Sequence, residues 1–176
     1  MESEEILIQN IQDWAYEKFE KLYDLYFPKV YRFILLKTDG NIALTEDICS
    51  ETFCKAFENL SNQSFKAQNF QSWIYTIAYH SFIDFIKRPN LDSLDDNTEN
   101  SWENIVDFLD KKEKVKSIIT YLDSLWEDKK DLFLLRVQES LRYEEIAVIL
   151  GKTTESCRKE FSRILKKVSE KYHYFA

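Results

Sequence analysis

Residues 140–168 read SLRYEEIAVILGKTTESCRKEFSRILKKV, and this stretch decides the fold of the C-terminal part of the chain. A helical pattern over 143–150 is followed by Gly151, and glycine readily adopts the positive φ at which helices often end. Either Thr153 or Thr154 can then cap a second helix through its hydroxyl group. Two helices joined by a turn of this length form a helix-turn-helix.

The second helix of this stretch, expected over 154–171, has an apolar face and a basic face. The residues predicted to face inward are Cys157, Phe161, Ile164 or Leu165, and Val168. The residues predicted to project outward are Arg158, Lys159, Ser162 and Arg163. Basic side chains on such a helix bind phosphates, and arginine can also read guanine through two hydrogen bonds. The pattern favours DNA binding, although a helical hairpin that only packs against its neighbours has the same apolar spacing.

Upstream, apolar residues recur at helical spacing in three segments, 14–37, 42–60 and 70–87. Pro28 in the first segment suits either the first turn of a new helix or a kink. The expected buried face of the second segment consists of Ile48, Phe53, Ala56, Phe57 and Leu60. Two glycines and two prolines in 176 residues are too few for an all-β fold, which needs frequent turns. The sequence therefore predicts an all-α protein.

Charge and composition divide the chain into two small helical domains, predicted over 1–89 and 113–176, with an acidic linker over 90–112. Residues 91–128 carry 11 acidic and 4 basic residues, whereas residues 129–176 carry 7 acidic and 11 basic residues. The net charge of −7 thus hides a basic C-terminal end. A basic helix after an acidic segment indicates an anionic partner at that end, and a solvated helix face is the plainer interpretation.

Composition excludes several other classes of protein. No apolar run approaches the roughly 18 residues that a membrane span needs, and the acidic start at 1–5 is unlike a secretory signal. Three cysteines without a CxxC pair, together with two histidines, predict neither a disulfide framework nor a metal site. We find no phosphate-binding glycine loop, Glu-x-x-His pair or nucleophile–base constellation, so we expect neither an enzyme nor a cofactor. The expectation is a soluble cytoplasmic protein without membrane insertion.

Three upstream segments and the helix-turn-helix together resemble the extracytoplasmic-function (ECF) type of the bacterial sigma-70 family, the promoter-specificity subunits of RNA polymerase. The segments are FEKLYDLYFPKVYRFILLK (19–37), TEDICSETFCKAFENL (45–60) and FQSWIYTIAYHSFIDFIKR (70–88), which are similar to the family's regions 2.1, 2.2 and 2.3–2.4. Residues 140–168 are similar to region 4.2. The chain departs from the family pattern at Thr45, Ser50, Tyr79, His80 and Cys157, where the family has alanine, glutamine, arginine, asparagine and valine.

This resemblance implies a protein that directs promoter recognition, promoter melting and transcription initiation. The implied partners are core RNA polymerase, through its β′ clamp helices and β flap, and the −10 and −35 elements of promoter DNA. Many family members also bind an anti-sigma factor, and the sequence leaves that partner open. A stand-alone helix-turn-helix regulator is the alternative, because it would share the C-terminal half of the chain. Ser50 and His80 also leave open a degenerate sigma-like protein that binds polymerase but no promoter.

The resemblance further implies roles for individual residues. The expected contacts to core polymerase are Asp47, Ser50 and Glu51, which share one helix face. The expected contacts to the −10 element are Asn62, Gln63 and Lys66 in a polar loop, and Tyr75, Tyr79, His80, Lys87 and Arg88 on the following helix. The expected contacts to the −35 element are Arg158, Lys159, Ser162 and Arg163 on bases, and Thr154, Lys166 and Lys167 on phosphates. The amides of the polar loop suit the edge of a flipped base.

Overall fold

The computed structural model describes residues 16–61, 69–88, 121 and 127–172. All the regular structure within these ranges is helical, and no strand occurs in them. The all-α class predicted from the sequence is confirmed. The chain divides into two compact units, Met1–Phe108 and Leu109–Ala176, which are described separately below.

Three helices build the described part of the first unit: α1 (Tyr16–Lys37), α2 (Ile42–Ser61) and α3 (Phe70–Ile86). Each of them packs against the other two. The largest fully buried side chains in this unit are Leu22, Phe33, Ile34, Leu36, Ile48, Leu60, Phe70, Ile74 and Tyr75. Full burial of one such side chain contributes about 1.5–3 kcal/mol, so the packing of these faces holds the three helices together.

Helix α1 runs through Pro28 without a break. Of the two alternatives left by the sequence, a new helix starting at this proline is therefore wrong. A proline inside a helix costs about 3 kcal/mol, because it cannot donate a backbone hydrogen bond and its ring crowds the preceding turn. Pro28 itself is exposed, whereas Tyr26 and Val30 on either side of it are buried. Burial of both flanks keeps the helix continuous.

Residues 39–41, which lie between the first two segments of helical spacing, join α1 to α2. Asp39 and Gly40 have positive φ values of 50° and 85°. The side-chain oxygen of Asn41 accepts a hydrogen bond from the backbone N–H of Leu44 at 3.0 Å and so caps α2. This local chemistry reverses the chain and lets α2 return along α1.

The predicted buried face of α2 is confirmed except at Phe57. The confirmed residues are Ile48, Phe53, Ala56 and Leu60. Phe57 is 39% exposed, and its ring contacts Phe19 edge-on with 5.1 Å between the centroids. Because Phe57 follows Ala56 directly, it lies about 100° further around the helix, at the margin of the core rather than inside it.

The described part of the second unit contains α4 (Glu127–Phe133), which continues as a π-helical turn over Leu134–Gln138, then α5 (Tyr143–Leu150) and α6 (Thr154–Tyr172). Helix α4 packs against both α5 and α6, and α5 packs against α6. The buried side chains between them are those of Leu132, Leu135, Leu141, Ile146, Ile149, Cys157, Ile164 and Val168. The unit therefore buries one apolar face of each helix.

The turn between α5 and α6 has the features that the sequence predicts. Gly151 ends α5 with a φ of 63°. Thr153 caps α6, since its hydroxyl accepts a hydrogen bond from the backbone N–H of Ser156 at 3.1 Å. At the start of α5, the carboxylate of Glu145 accepts a hydrogen bond from the backbone N–H of Arg142 at 2.7 Å. Both helices of the helix-turn-helix are thus capped by short-range contacts.

Candidate nucleic-acid interface

Helix α6 presents a basic, polar face on the side opposite its buried face. The side chains of Arg158, Lys159, Ser162 and Arg163 are all exposed. The predicted orientation of α6 is confirmed, because the residues buried on its other side are Cys157, Phe161, Ile164 and Val168. Of the residues predicted to contact phosphate, Lys166 and Lys167 are exposed and Thr154 is half-buried. Contact with DNA stays a prediction for all of them.

Arg158 is held by Glu144 and Tyr143, two neighbours that the sequence did not predict. Its guanidinium donates a hydrogen bond to the Glu144 carboxylate at 2.7 Å. It also lies over the Tyr143 ring, 5.7 Å from the ring centroid. A second guanidinium, that of Arg136, lies 4.7 Å from the same centroid. Glu144 and Arg158 are 14 residues apart, so helical periodicity within one segment cannot pair them.

The lysines on α6 are partly balanced by acidic residues of the same helix. Lys159 pairs with Glu155 at 2.6 Å, and Lys166 lies 4.0 Å from Glu170. Both pairs are exposed and four residues apart, an arrangement worth about 0.3–0.5 kcal/mol. Such weak pairs can exchange for phosphate contacts at little cost.

On α2, the three residues expected to contact polymerase share one face but differ in their surroundings. Asp47 and Ser50 are exposed. The carboxylate of Glu51 is bound by Lys55 at 2.7 Å and by Arg88 at 3.0 Å. The hydrogen bond from Lys55 lowers the pKa of Glu51, and the charges of Lys55 and Arg88 add to this effect. Glu51 is therefore ionised and already held by its own chain.

The contact between Glu51 and Arg88 links α2 to the segment just after α3. Lys55 extends this network, since its ammonium donates to the hydroxyl of the buried Ser81 at 3.1 Å. The guanidinium of Arg88 also lies over the Phe85 ring, 4.3 Å from its centroid. One predicted polymerase contact and one predicted DNA contact are thus paired with each other.

The prediction that Tyr75 contacts the −10 strand is wrong. Its side chain is fully buried, and its ring packs edge-on against Phe33 with 5.4 Å between the centroids. Tyr75 lies three and seven residues before Ala78 and Phe82, which are buried as well. This spacing places the tyrosine in the row of α3 that faces the core.

The other expected −10 residues on and after α3 are accessible. His80, Lys87 and Arg88 are exposed, and Tyr79 is half-buried. The rings of Tyr79 and His80 are 6.2 Å apart. The buried ammonium of Lys37 lies over Tyr79, 5.8 Å from its centroid, and so packs behind that ring. The expected loop contacts Asn62, Gln63 and Lys66 lie outside the described residues.

Neither the cysteines nor the described acidic residues form a metal centre. All three cysteines are free thiols: Cys49 and Cys157 are buried and Cys54 is exposed. Burial raises the pKa of Cys49 to about 12 and also raises that of Cys157. Within the described ranges, no three His, Cys, Asp or Glu side chains group as metal ligands would. None of the helices described there has the length and apolar character needed to cross a membrane.

Comparison with known proteins adds a match in each unit. Residues 22–90 match the family model described as Sigma-70 region 2, and residues 116–168 match the one described as Sigma-70, region 4. A solved structure of CnrH in complex with the cytosolic domain of CnrY has a similar fold, with a TM-score of 0.66, 15% identity and 97% coverage of both chains. A stand-alone helix-turn-helix regulator has no need of region 2, so the first match decides against that alternative.

Two curated relatives from Bacillus subtilis (strain 168) extend over most of the chain. RNA polymerase sigma factor YlaC is 27% identical over 142 residues, which cover 77% of this chain and 80% of YlaC. ECF RNA polymerase sigma factor SigM is 25% identical over 135 residues, which cover 75% of this chain and 81% of SigM. With both regions matched in the expected order, the chain belongs to the sigma-70 family and is an RNA polymerase sigma factor of the ECF type.

Proposed function

We propose that this sigma factor reads the −35 element with the outer face of α6, contacts the −10 element with α3 and the residues after it, and binds core polymerase with α2. The observation that carries the proposal is the exposed row of Arg158, Lys159, Ser162 and Arg163, set opposite a fully packed apolar face. A helix that is firmly packed on one side and basic on the other can enter a major groove without unfolding. Sigma factors carry out no covalent chemistry, so this function requires no catalytic residue.

At the −35 element, arginine supplies base recognition and lysine supplies phosphate affinity. Arg158 and Arg163 can each present two parallel N–H groups to the O6 and N7 atoms of a guanine. Thr154, Lys166 and Lys167 are proposed to bind phosphates, which adds affinity without adding sequence information. Binding by this face should weaken as the salt concentration rises, because each neutralised phosphate releases counterions.

At the −10 element, the proposed contacts are those of a melted strand. Tyr79 and His80 offer ring faces or edges beside a base, and Lys87 and Arg88 offer charge for the phosphates. Asn62, Gln63 and Lys66 complete the proposed set on the basis of the resemblance alone. Tyr75 is not part of it, because the ring is buried.

On core polymerase, the proposed partner of α2 is the pair of β′ clamp helices, with Asp47, Ser50 and Glu51 as contacts. The exposed carboxylate of Asp47 and the ionised Glu51 suit a basic helical partner. The β flap is the proposed partner of the region 4 unit. We also propose the domain division 1–89, 90–112 and 113–176, which the boundary between Phe108 and Leu109 supports.

The test is transcription in vitro with purified protein and bacterial core polymerase on a genomic promoter library, with start sites read by sequencing. Specific starts that share −35 and −10 motifs are expected. Arg158→Ala should then lose about 1–3 kcal/mol of discrimination at one −35 base pair. Lys166→Ala is the control, because loss of a phosphate contact weakens binding on all sequences equally. Equal weakening by Arg158→Ala on every sequence would refute base reading by this residue.

An anti-sigma partner is a second proposal. It is suggested by CnrH, which has the same fold and is bound to the cytosolic domain of CnrY in its solved structure. A cytoplasmic location follows from the proposed function, since core polymerase and promoter DNA are found there. The test is purification of the tagged full chain from its native cells. A co-purifying protein that competes with core polymerase for the chain is expected, and copurification of polymerase subunits alone would count against this partner.

A further inference from the structure

Helix α5 carries an acidic residue at the edge of the proposed DNA-binding face. The Glu144 carboxylate accepts a hydrogen bond of 2.7 Å from the Arg158 guanidinium. The side chains of Glu144 and Arg158 are 57% and 60% exposed, so both remain accessible from the solvent. A carboxylate beside a DNA-binding arginine repels phosphate groups, so Glu144 opposes phosphate binding by Arg158.

The backbone that carries Glu144 is well anchored. Tyr143, the preceding residue, packs against Arg136, whose guanidinium also donates to the backbone carbonyl of Leu141 at 2.8 Å. Glu145, the following residue, caps the first turn of α5. The backbone of Glu144 is therefore held on both sides, close enough to Arg158 for its carboxylate to accept the hydrogen bond.

We propose that Glu144 is a positioning residue that sets the specificity of −35 recognition by restraining Arg158. This inference rests on the proposed role of Arg158 in base reading. A guanidinium has five N–H donors, so an arginine that gives one of them to Glu144 retains enough for both acceptors of a guanine. On a wrong base pair, an unrestrained arginine turns to the nearest phosphate and recovers affinity. Glu144 opposes that escape by holding the guanidinium and by repelling the phosphates.

The expected consequence is a change in the specificity ratio rather than in affinity alone. An exposed ion pair is worth about 0.2–1 kcal/mol, so Glu144→Gln should lower the ratio of specific to non-specific binding by a factor of about 1.4 to 5. The change should arise from tighter non-specific binding. The dependence of non-specific binding on salt should become steeper by about one unit of log K per log of salt concentration, because one more arginine reaches a phosphate.

The experiment compares polymerase holoenzymes that contain the wild-type or the Glu144→Gln protein. Each is tested on the promoter and on its three substitutions at the base pair that Arg158 reads, over a series of salt concentrations. Glu155→Gln is the matched control: it removes the same charge from the neighbouring pair with Lys159 and leaves Arg158 untouched. The control should leave discrimination at that base pair unchanged.

Four outcomes separate the possibilities. A lower specificity ratio for Glu144→Gln, absent when Arg158→Ala is also present, supports the inference. The same change in Glu155→Gln would show that the loss of any one negative charge lowers the specificity ratio, and this would overturn the inference. If Arg158→Ala loses discrimination but Glu144→Gln does not, the positioning role is wrong and base reading stands. If Arg158→Ala loses no discrimination, the proposed function of Arg158 fails first.

Discussion

Replacement of Gly151 by alanine probes the turn that sets the two helices of the DNA-binding unit against each other. Gly151 has φ 63° and ψ 32°, in the left-handed region that side chains disfavour. A Cβ atom built at this position meets no described heavy atom within 4 Å, so crowding adds nothing to the cost. Only the conformational preference of the backbone remains.

The size of the effect follows from two opposing quantities. Alanine in the left-handed conformation costs about 1–2 kcal/mol. Alanine also restricts the unfolded chain more than glycine does, which returns about 0.4–1 kcal/mol. We therefore expect Gly151→Ala to destabilise the second unit by about 1 kcal/mol, a factor of about five in its unfolding equilibrium. Gly151→Asn should cost less, because asparagine tolerates this conformation better.

Hydrogen exchange of the full chain, followed by mass spectrometry, measures the loss of stability in each helix separately. Peptides from α5 and α6 should exchange about fivefold faster in Gly151→Ala, under conditions where exchange reports the opening equilibrium. Peptides from α2 should be unchanged, because α2 belongs to the other compact unit. Unchanged protection of α5 and α6, or an equally large effect of asparagine, would refute the conformational explanation.

Three further predictions concern the first unit. Pairing with Lys55 and Arg88 lowers the pKa of Glu51 in the folded state. The ionised carboxylate therefore stabilises the fold at pH values above the pKa of an ordinary glutamate, and this stabilisation is lost as the pH falls through the lowered pKa. Glu51→Gln should therefore be less stable than wild type at pH 7 by up to about 1 kcal/mol, and equally stable near pH 2, when urea unfolding is compared. At pH 8, iodoacetamide should alkylate the exposed Cys54 quickly and spare Cys49, because burial raises the pKa of Cys49 to about 12. Equal alkylation rates of the two cysteines, measured by mass spectrometry, would contradict the burial of Cys49. Tyr75→Ala should lose about 3–5 kcal/mol of stability, because this side chain is fully buried. Tyr79→Ala should unfold near the wild-type temperature but impair transcription. If Tyr79→Ala were the destabilised variant and Tyr75→Ala the one that only impairs transcription, the roles assigned to the two tyrosines would be wrong.

The C-terminal helix-turn-helix could be predicted closely from the sequence. The expected segments 143–150 and 154–171 correspond to Tyr143–Leu150 and Thr154–Tyr172. Their boundaries depend on capping groups and on Gly151, which act within a few residues along the chain. The inward and outward faces of α6 follow from 3.6-residue periodicity, because its apolar residues recur every three or four positions with charged residues between them.

The misses occurred where aromatic residues crowd a helix. In α3, rings occur on several faces, so composition alone could not distinguish the buried Tyr75 from the accessible Tyr79. In α2, Phe57 looked like a core residue because it is apolar, but the neighbouring helices leave it 39% exposed. Burial depends on which faces meet other helices, and a single helix does not specify this.

The sequence by itself determined the helices, their caps, the basic face of α6 and the order of segments that resembles a sigma factor, because all of these depend on residues close together in the chain. Only the tertiary structure decided which charges meet. Arg158 pairs with Glu144, which lies 14 residues away in the sequence, and Arg88 pairs with Glu51, which lies 37 residues away. Ion pairs between helices need a particular rotation and spacing of both helices, and these are set by the packing of their apolar faces.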